Sequence, residues 1–148
     1  MNSDEIKETR GIGVNMIIEV IGRPPEHLVE TMENIVGQIG EEKGVRIIEK
    51  KIHEPVLMKD QKDFFSAFVD VEFEAEEIID IAMIMFKYMP AHIEINNPEL
   101  IVLTNNGWSD ILNQLTRALH GYDEIARVMQ TEKAILEKKL KDLMPKKD

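Results

Sequence analysis

Cysteine is absent from this chain of 148 residues. Disulfide frameworks, thiolate zinc sites, iron–sulfur clusters and cysteine nucleophiles are therefore excluded. Long hydrophobic runs are absent as well, since none approaches the roughly 18 apolar residues that a transmembrane helix requires. The first ten residues are polar and lack the apolar segment of a signal peptide. We therefore expect a cytoplasmic protein.

Basic residues are scarce relative to acidic ones. The chain has 18 Lys and Arg against 28 Asp and Glu, a formal net charge of −10. Such a charge repels the phosphates of nucleic acids and of anionic membranes, so we expect neither as a partner. The acidic excess is confined to residues 1–107, because residues 108–148 hold 8 basic and 7 acidic residues. A domain boundary is predicted near Asn105, where the hydrophobic period also changes.

The order of the predicted elements indicates an α+β domain. Alternating or β-branched apolar runs predict strands over residues 14–21, 45–57, 65–73 and 91–95. Apolar residues three and four positions apart predict helices over 25–40 and 76–89, the second of which is stopped by Pro90. This βαββαβ order is that of ferredoxin-like sandwiches, whose helices cover one face of an antiparallel sheet. The domain is thus placed at residues 14–104, after a flexible segment at 1–13 and before a helical tail at 105–148.

The second face of such a sheet is open, and the alternation places two groups of residues on it. Phe64 and Phe68 are predicted to face outward and to form part of an interface. Carboxylates Glu19, Asp70 and Glu72 are predicted to share this face. Paired carboxylates can act as general acid and base when burial shifts their pKa values, but chance clustering is the simpler interpretation in a chain with 28 acidic residues.

Motifs for catalysis or cofactor binding are missing from the sequence. There is no phosphate-binding GxxxxGKS/T, no zinc-binding HExxH and no GxSxG nucleophile turn. His53 and His92 have carboxylate neighbours, yet the strands around them are expected at opposite sheet edges, too far apart for one metal ion. We therefore predict no catalytic residue, no metal site and no cofactor.

The tail carries the most specific pattern in the sequence. Residues recur in alternating steps of four and three over five heptads, and ten of the eleven heptad positions are apolar, as in a coiled coil. These positions are Trp108, Leu112, Leu115, Leu119, Tyr122, Ala126, Met129, Lys133, Leu136, Leu140 and Leu143. Asn105 and Asn106 are expected to cap the helix. The predicted interface comprises Trp108, Leu112, Leu115, Leu119, Tyr122, Met129, Leu136 and Leu140, together with Phe64 and Phe68.

The orientation of this coiled coil stays open at this level. Lys133 occupies a core position, which lowers stability and restricts register or partner number. In a parallel dimer Glu132 would face the partner's Glu137, a like-charge pair that argues mildly for antiparallel or intramolecular packing. Alternatively, the first half of the tail folds back onto the domain, and Gly121 permits a bend that would make the tail a helical hairpin.

A second pattern lies after the first strand. The segment Val20-Ile-Gly-Arg-Pro-Pro-Glu-His-Leu28, followed by a helix and by Ile39-Gly-Glu-Glu-Lys-Gly-Val45, resembles the opening half of ACT-type regulatory domains. That family shares the βαββαβ order. The resemblance implies that the turn at Gly22, Arg23 and Pro24 contacts an amino-acid effector across a subunit interface.

These features predict a non-catalytic homo-oligomer, most simply a dimer, that serves as a binding or scaffolding module and could also engage another protein. The alternative function is small-molecule sensing at the turn formed by Gly22, Arg23 and Pro24. A third interpretation, an enzyme that uses carboxylates, requires a buried cleft around them.

Overall fold

The computed structural model describes residues 6–146, which form an α+β domain with a long C-terminal helix. The strands are β1 (Ile12–Gly22), β2 (Val45–Ile52), β3 (Val56–Leu57), β4 (Phe65–Ala75) and β5 (His92–Asn97); the helices are α1 (Pro25–Glu41), α2 (Ile78–Tyr88) and α3 (Asn105–Leu143). The chain divides into two compact units after Ile111, inside α3 and beyond the predicted boundary. No helix among the described residues is long and apolar enough to cross a membrane.

The strands form one antiparallel sheet. β2, β4, β1 and β5 are neighbours in that order, and β3 pairs with β4. β1 and β4 pair without interruption from Ile12 opposite Ala75 to Gly22 opposite Phe65. Because successive side chains of a strand point to opposite faces, each central strand directs one set of residues inward and the other outward. β2 and β5 lie at opposite edges, as predicted.

The hydrophobic core lies between one face of the sheet and the helices α1 and α2. Phe73 of β4 and Met32 of α1 are fully buried in the same cluster as Ile84 of α2. α1 buries Leu28, Met32, Val36 and Ile39, whose four- and three-residue spacing gives the helix one apolar face. Pro25 occupies the first turn, where its missing N–H costs no helical hydrogen bond.

Local chemistry sets both ends of α2. Asp80 Oδ2 accepts a hydrogen bond of 3.1 Å from the backbone N–H of Glu77, which satisfies a donor at the N-terminus of the helix. Burial raises the pKa of the Asp80 carboxyl. Met89 adopts a left-handed conformation with φ of 47°, and Pro90 follows it, so the predicted stop is confirmed.

The start of the domain differs from the prediction. β1 begins at Ile12, which is fully buried, because the inward alternation of Val14 and Met16 extends back to it. The Thr9 N–H donates to the carbonyl of Val102 at 2.9 Å, so the segment before the strand is also bonded to the domain. Of the predicted flexible segment 1–13, residues 1–5 lie outside the described part of the chain, whereas Ile12 and Gly13 belong to β1.

The predicted strand over 45–57 is divided into β2 and β3. The pairing of β2 with β4 shifts register between Ile47 and Glu49, which is a β-bulge. After Ile52 the His53 N–H donates to the carbonyl of Phe68 of β4 at 2.9 Å. Pro55 has no N–H to donate, and the strand resumes at Val56.

α3 is one continuous helix of 39 residues that runs through Gly121. At 1.5 Å per residue it is about 58 Å long. The helical-hairpin alternative is therefore wrong. The predicted cap is also wrong in detail, because Thr104 performs this role: its Oγ1 accepts a hydrogen bond of 3.1 Å from the N–H of Gly107 and donates to Glu8. A hydroxyl before the first turn is the signal that could have identified it.

Candidate association surface

α3 exposes the apolar stripe that its heptads predict. No residue of this helix is buried, although an apolar side chain gains roughly 1.5–3 kcal/mol from full burial. All eight α3 residues of the predicted interface are exposed: Trp108, Leu112, Leu115, Leu119, Tyr122, Met129, Leu136 and Leu140. The structure thus places them in one helix as an accessible surface.

The exposed surface is broader than the core heptad positions. Ile125, Val128 and Ile135 are also at least half exposed; Ile125 lies beside the stripe at a flanking heptad position, whereas Val128 and Ile135 lie farther round the helix. A strict alternation of four and three steps omits such flanking positions. The signal for Ile125 is the wider apolar face, about three positions in seven, that helices use when they pack on more than a narrow seam.

The C-terminal part of the stripe contains a shallow depression. Met129, Lys133, Leu136 and Leu140 line it, with a glutamate on each side, and its volume is about 320 Å³. Lys133 Nζ lies 3.9 Å from a carboxylate oxygen of Glu137 one turn later. A depression bounded by successive core residues of one helix is the kind of hole that a side chain of a second helix fills in a coiled coil.

The outward face of the sheet is a second exposed surface. Phe68 lies on it, 37% exposed and directly opposite Glu19 of β1. With Ile17 and Val56, Phe68 lines an open depression of about 580 Å³. Phe64 is half-buried, and the guanidinium carbon of Arg23 lies 5.1 Å from its ring centroid. The predicted outward position of Phe68 is confirmed, whereas Phe64 is partly covered.

Acidic residues cluster on the same face, but not all of the predicted ones meet. Asp70 and Glu72 line a depression of about 480 Å³ together with Glu49 and Glu94. Glu19 is not among the lining residues, since it stands farther along β1 beside Phe68. The cluster is open to water, with 47% of the Asp70 side chain exposed.

Sequence reasoning did not find the pairing of His53 with Asp70. His53 Nε2 lies 2.6 Å from Asp70 Oδ2, and both side chains are partly exposed. The residues are brought together by the hydrogen bond of the His53 N–H to Phe68 beyond the end of β2, which no local pattern specifies. His92 lies near Glu94, with 3.9 Å between Nε2 and Oε2. Among the described residues, no three imidazole or carboxylate groups are arranged to hold a metal ion.

The turn formed by Gly22, Arg23 and Pro24 connects β1 to α1. A Cβ on Gly22 would lie 3.2 Å from Leu28 Cδ2, so a larger residue there would require Leu28 to shift by a few tenths of an ångström. Arg23 and Pro24 are exposed, and the guanidinium of Arg23 extends over Phe64. Contact of this turn with an effector stays a prediction.

The two surfaces belong to an α+β domain with an antiparallel sheet and a long amphipathic helix. The model of the MJ0538 family matches residues 13–146 of this chain. The chain therefore belongs to the MJ0538 family, whose description states no activity. Among curated proteins and solved structures, no significant match to the chain was found.

Proposed function

We propose that this protein is a non-catalytic scaffolding or binding module that forms a homodimer through a coiled coil of α3. The observation that carries the proposal is a helix of 39 residues with an apolar stripe and no buried residue. Most helical stability in proteins comes from packing of an apolar face rather than from helix propensity, and α3 buries none of its residues. A second copy would supply that packing.

A substitution in the stripe tests this proposal. Leu136→Lys in the full chain places a charge at a core position, whereas Thr131→Lys places the same charge on the opposite side of the helix. We expect Leu136→Lys to weaken dimerisation about 100-fold or more, because two leucines per dimer lose their burial. Thr131→Lys should leave it nearly unchanged. Sedimentation equilibrium measures both, and an equal effect of the two variants would contradict the proposal.

We further propose that the first unit is a ferredoxin-like domain. Counted as one interrupted strand, β2 and β3 reduce the order of elements to βαββαβ. The neighbour order β2-β4-β1-β5 and the antiparallel pairing support this assignment. The helices α1 and α2 contribute to a core on one face, and the other face is open for a partner such as a second subunit at Phe68.

Amino-acid sensing at the Gly22 turn is the alternative proposal. The exposed Arg23, oriented over Phe64, is the observation that favours it, since a guanidinium binds a carboxylate through paired hydrogen bonds. A thermal-shift panel of amino acids on the wild type and on Arg23→Ala tests it. Stabilisation of the wild type alone would support sensing, and no stabilisation by any amino acid would count against it.

Catalysis by the carboxylate cluster has the least support. A general acid or base needs a pKa matched to its task, which enzymes obtain through burial and neighbouring charges. Asp70 and His92 retain 47% and 60% exposure of their side chains. The open face therefore offers no enclosed cleft around these groups.

A further inference from the structure

We propose that α3 pairs with α3 of a second copy in antiparallel orientation and in one register, with Leu112 opposite the partner's Leu143. This inference rests on the proposed function, because it specifies the geometry of the same surface. Each further core layer is reached by moving seven residues forward on one helix and seven residues back on the other. The layers pair Leu112 with the partner's Leu143, Leu119 with the partner's Leu136, Ala126 with the partner's Met129, Lys133 with the partner's Tyr122, and Leu140 with the partner's Leu115.

A parallel pair in register would bring like charges together. Core positions face their own symmetry mates in that arrangement, so Lys133 would face Lys133 of the partner subunit. Glu132 would face the partner's Glu137, and the two-fold symmetry would repeat this contact. These three residues surround one depression on α3. A parallel partner would therefore place a second lysine beside Lys133 and further glutamates beside Glu132 and Glu137.

The antiparallel register gives Lys133 a suitable neighbour. Its ammonium group faces the ring of the partner's Tyr122, and a cation near the face of an aromatic ring is attracted to it. The adjacent layer places Met129 opposite the partner's Ala126. A large side chain then meets a small one on both sides of the symmetry axis, which allows close packing there.

Flanking charges distinguish this register from its neighbours. In the proposed register Asp123 lies beside the partner's Gln130, and Glu132 lies beside the partner's Ile125. A slip of one heptad in one direction places Asp123 beside the partner's Asp123. A slip in the other direction places Glu132 beside the partner's Glu132. Of these three antiparallel registers, the proposed one alone has no like-charge contact at flanking positions.

Spin-label distances in the full chain test the inference, because the absence of cysteine permits single labelling sites. Arg117→Cys, Glu124→Cys and Lys138→Cys place a nitroxide on the side of α3 that faces away from the stripe. The symmetry axis passes near residues 127 and 128. With 1.5 Å per residue, the two labels at 117, and likewise at 138, are separated by about 30 Å along the helix axis. Labels at 124 are separated by about 10 Å along it.

Pulsed dipolar spectroscopy of each labelled dimer gives one distance per variant. Equal long distances at 117 and 138, with a shorter one at 124, would support the proposed register. Equal short distances at all three positions would show a parallel pair, and unequal distances at 117 and 138 would show a slipped register. Either result would overturn this inference and leave the proposed function standing. No dipolar coupling between copies in any variant would overturn both.

Two charge variants provide a test without labels. Thr116→Lys introduces a cation beside the partner's Glu137 in the proposed register, and it should tighten dimerisation about threefold. Glu132→Lys should change it little, since this position lies beside the partner's Ile125. In a parallel pair the order reverses, because Glu132→Lys relieves the repulsion from the partner's Glu137. Tightening by Glu132→Lys alone would therefore overturn the antiparallel register.

Discussion

The sheet domain and α3 differ in how far their apolar side chains are buried. Among the described residues, every buried hydrophobic residue lies between Ile12 and Ile84, and α3 contributes none. The inward-facing residues of the strands, which alternate every two positions, pack with the apolar residues of α1 and α2 in one core within a single chain. α3 has an apolar face of comparable regularity that remains exposed. The first region thus buries its apolar residues within one chain, whereas the apolar face of α3 is the surface that we propose a second copy covers.

The largest predicted effect concerns the core of the sheet domain. Phe73→Ala removes a fully buried ring from β4 and should lower the free energy of unfolding by about 3–5 kcal/mol. Urea denaturation measures this loss. Phe68→Ala, on the outward face of the same strand, is the matched control and should cost much less. If Phe73→Ala altered the dimerisation constant while the domain remained folded, this result would contradict the proposal that the sheet domain and α3 act independently.

Gly44 is predicted to be the most sensitive glycine of the domain. Its φ is +73°, and a Cβ would lie 2.3 Å from Asp80 Oδ2, so Gly44→Ala combines backbone strain with a steric clash. We expect a loss of about 1–3 kcal/mol in the free energy of unfolding. Gly11→Ala separates the two causes, because Gly11 has a φ of +70° but no atom within 4 Å of the added Cβ. Equal losses for the two variants would show that the contact with Asp80 is irrelevant.

Gly121→Ala should have the opposite sign. The site is open, and alanine favours a helix by about 1 kcal/mol relative to glycine. We therefore expect tighter dimerisation, since a more stable α3 favours the associated form. Gly37→Ala is the control in α1, where the added Cβ also meets no atom within 4 Å. It should stabilise the domain and leave the dimerisation constant unchanged, as measured by sedimentation.

The smallest predicted effect is a dependence on pH. Hydrogen bonds from Lys87 and Tyr88 lower the pKa of the Glu42 carboxyl below its ordinary value of 4.5. This interaction stabilises the fold above the unfolded pKa, and its contribution is lost as pH falls through the lower folded pKa. Glu42→Gln should cost less than about 1 kcal/mol at neutral pH, as for other exposed ion pairs. The difference from wild type in urea denaturation should shrink as the pH falls below the ordinary carboxyl pKa of 4.5; an unchanged difference would refute the assignment.

Local patterns predicted the strands that lie in the middle of the sheet. The alternation of Ala67, Val69 and Phe73 specified β4 within two residues of its observed end, because inward and outward positions differ in polarity. The bulge between Ile47 and Glu49 was missed, since it depends on how β2 pairs with β4, a strand more than 20 residues away in the sequence. The pair of His53 and Asp70 escaped prediction for the same reason.

The exposed apolar stripe of α3 was easier to predict than the outward face of the sheet. Heptad spacing is a property of one helix, so Leu119 and Leu136 could be assigned to one stripe before any tertiary structure was known. Whether the turn at Gly22 binds an effector depends on what contacts Arg23 across space, which the sequence of one chain does not specify. The same limitation holds for the proposed orientation of α3 against a second copy, because a heptad pattern in one chain does not fix the direction of its partner helix.

Native mass spectrometry of the full chain tests the central claim most directly. The exposed stripe of α3 predicts a species of twice the mass of one chain, which dissociates on dilution and on substitution of Leu136 by lysine. A single-chain mass at every concentration, with the helix still formed, would contradict the claim that this surface exists to bind a second copy.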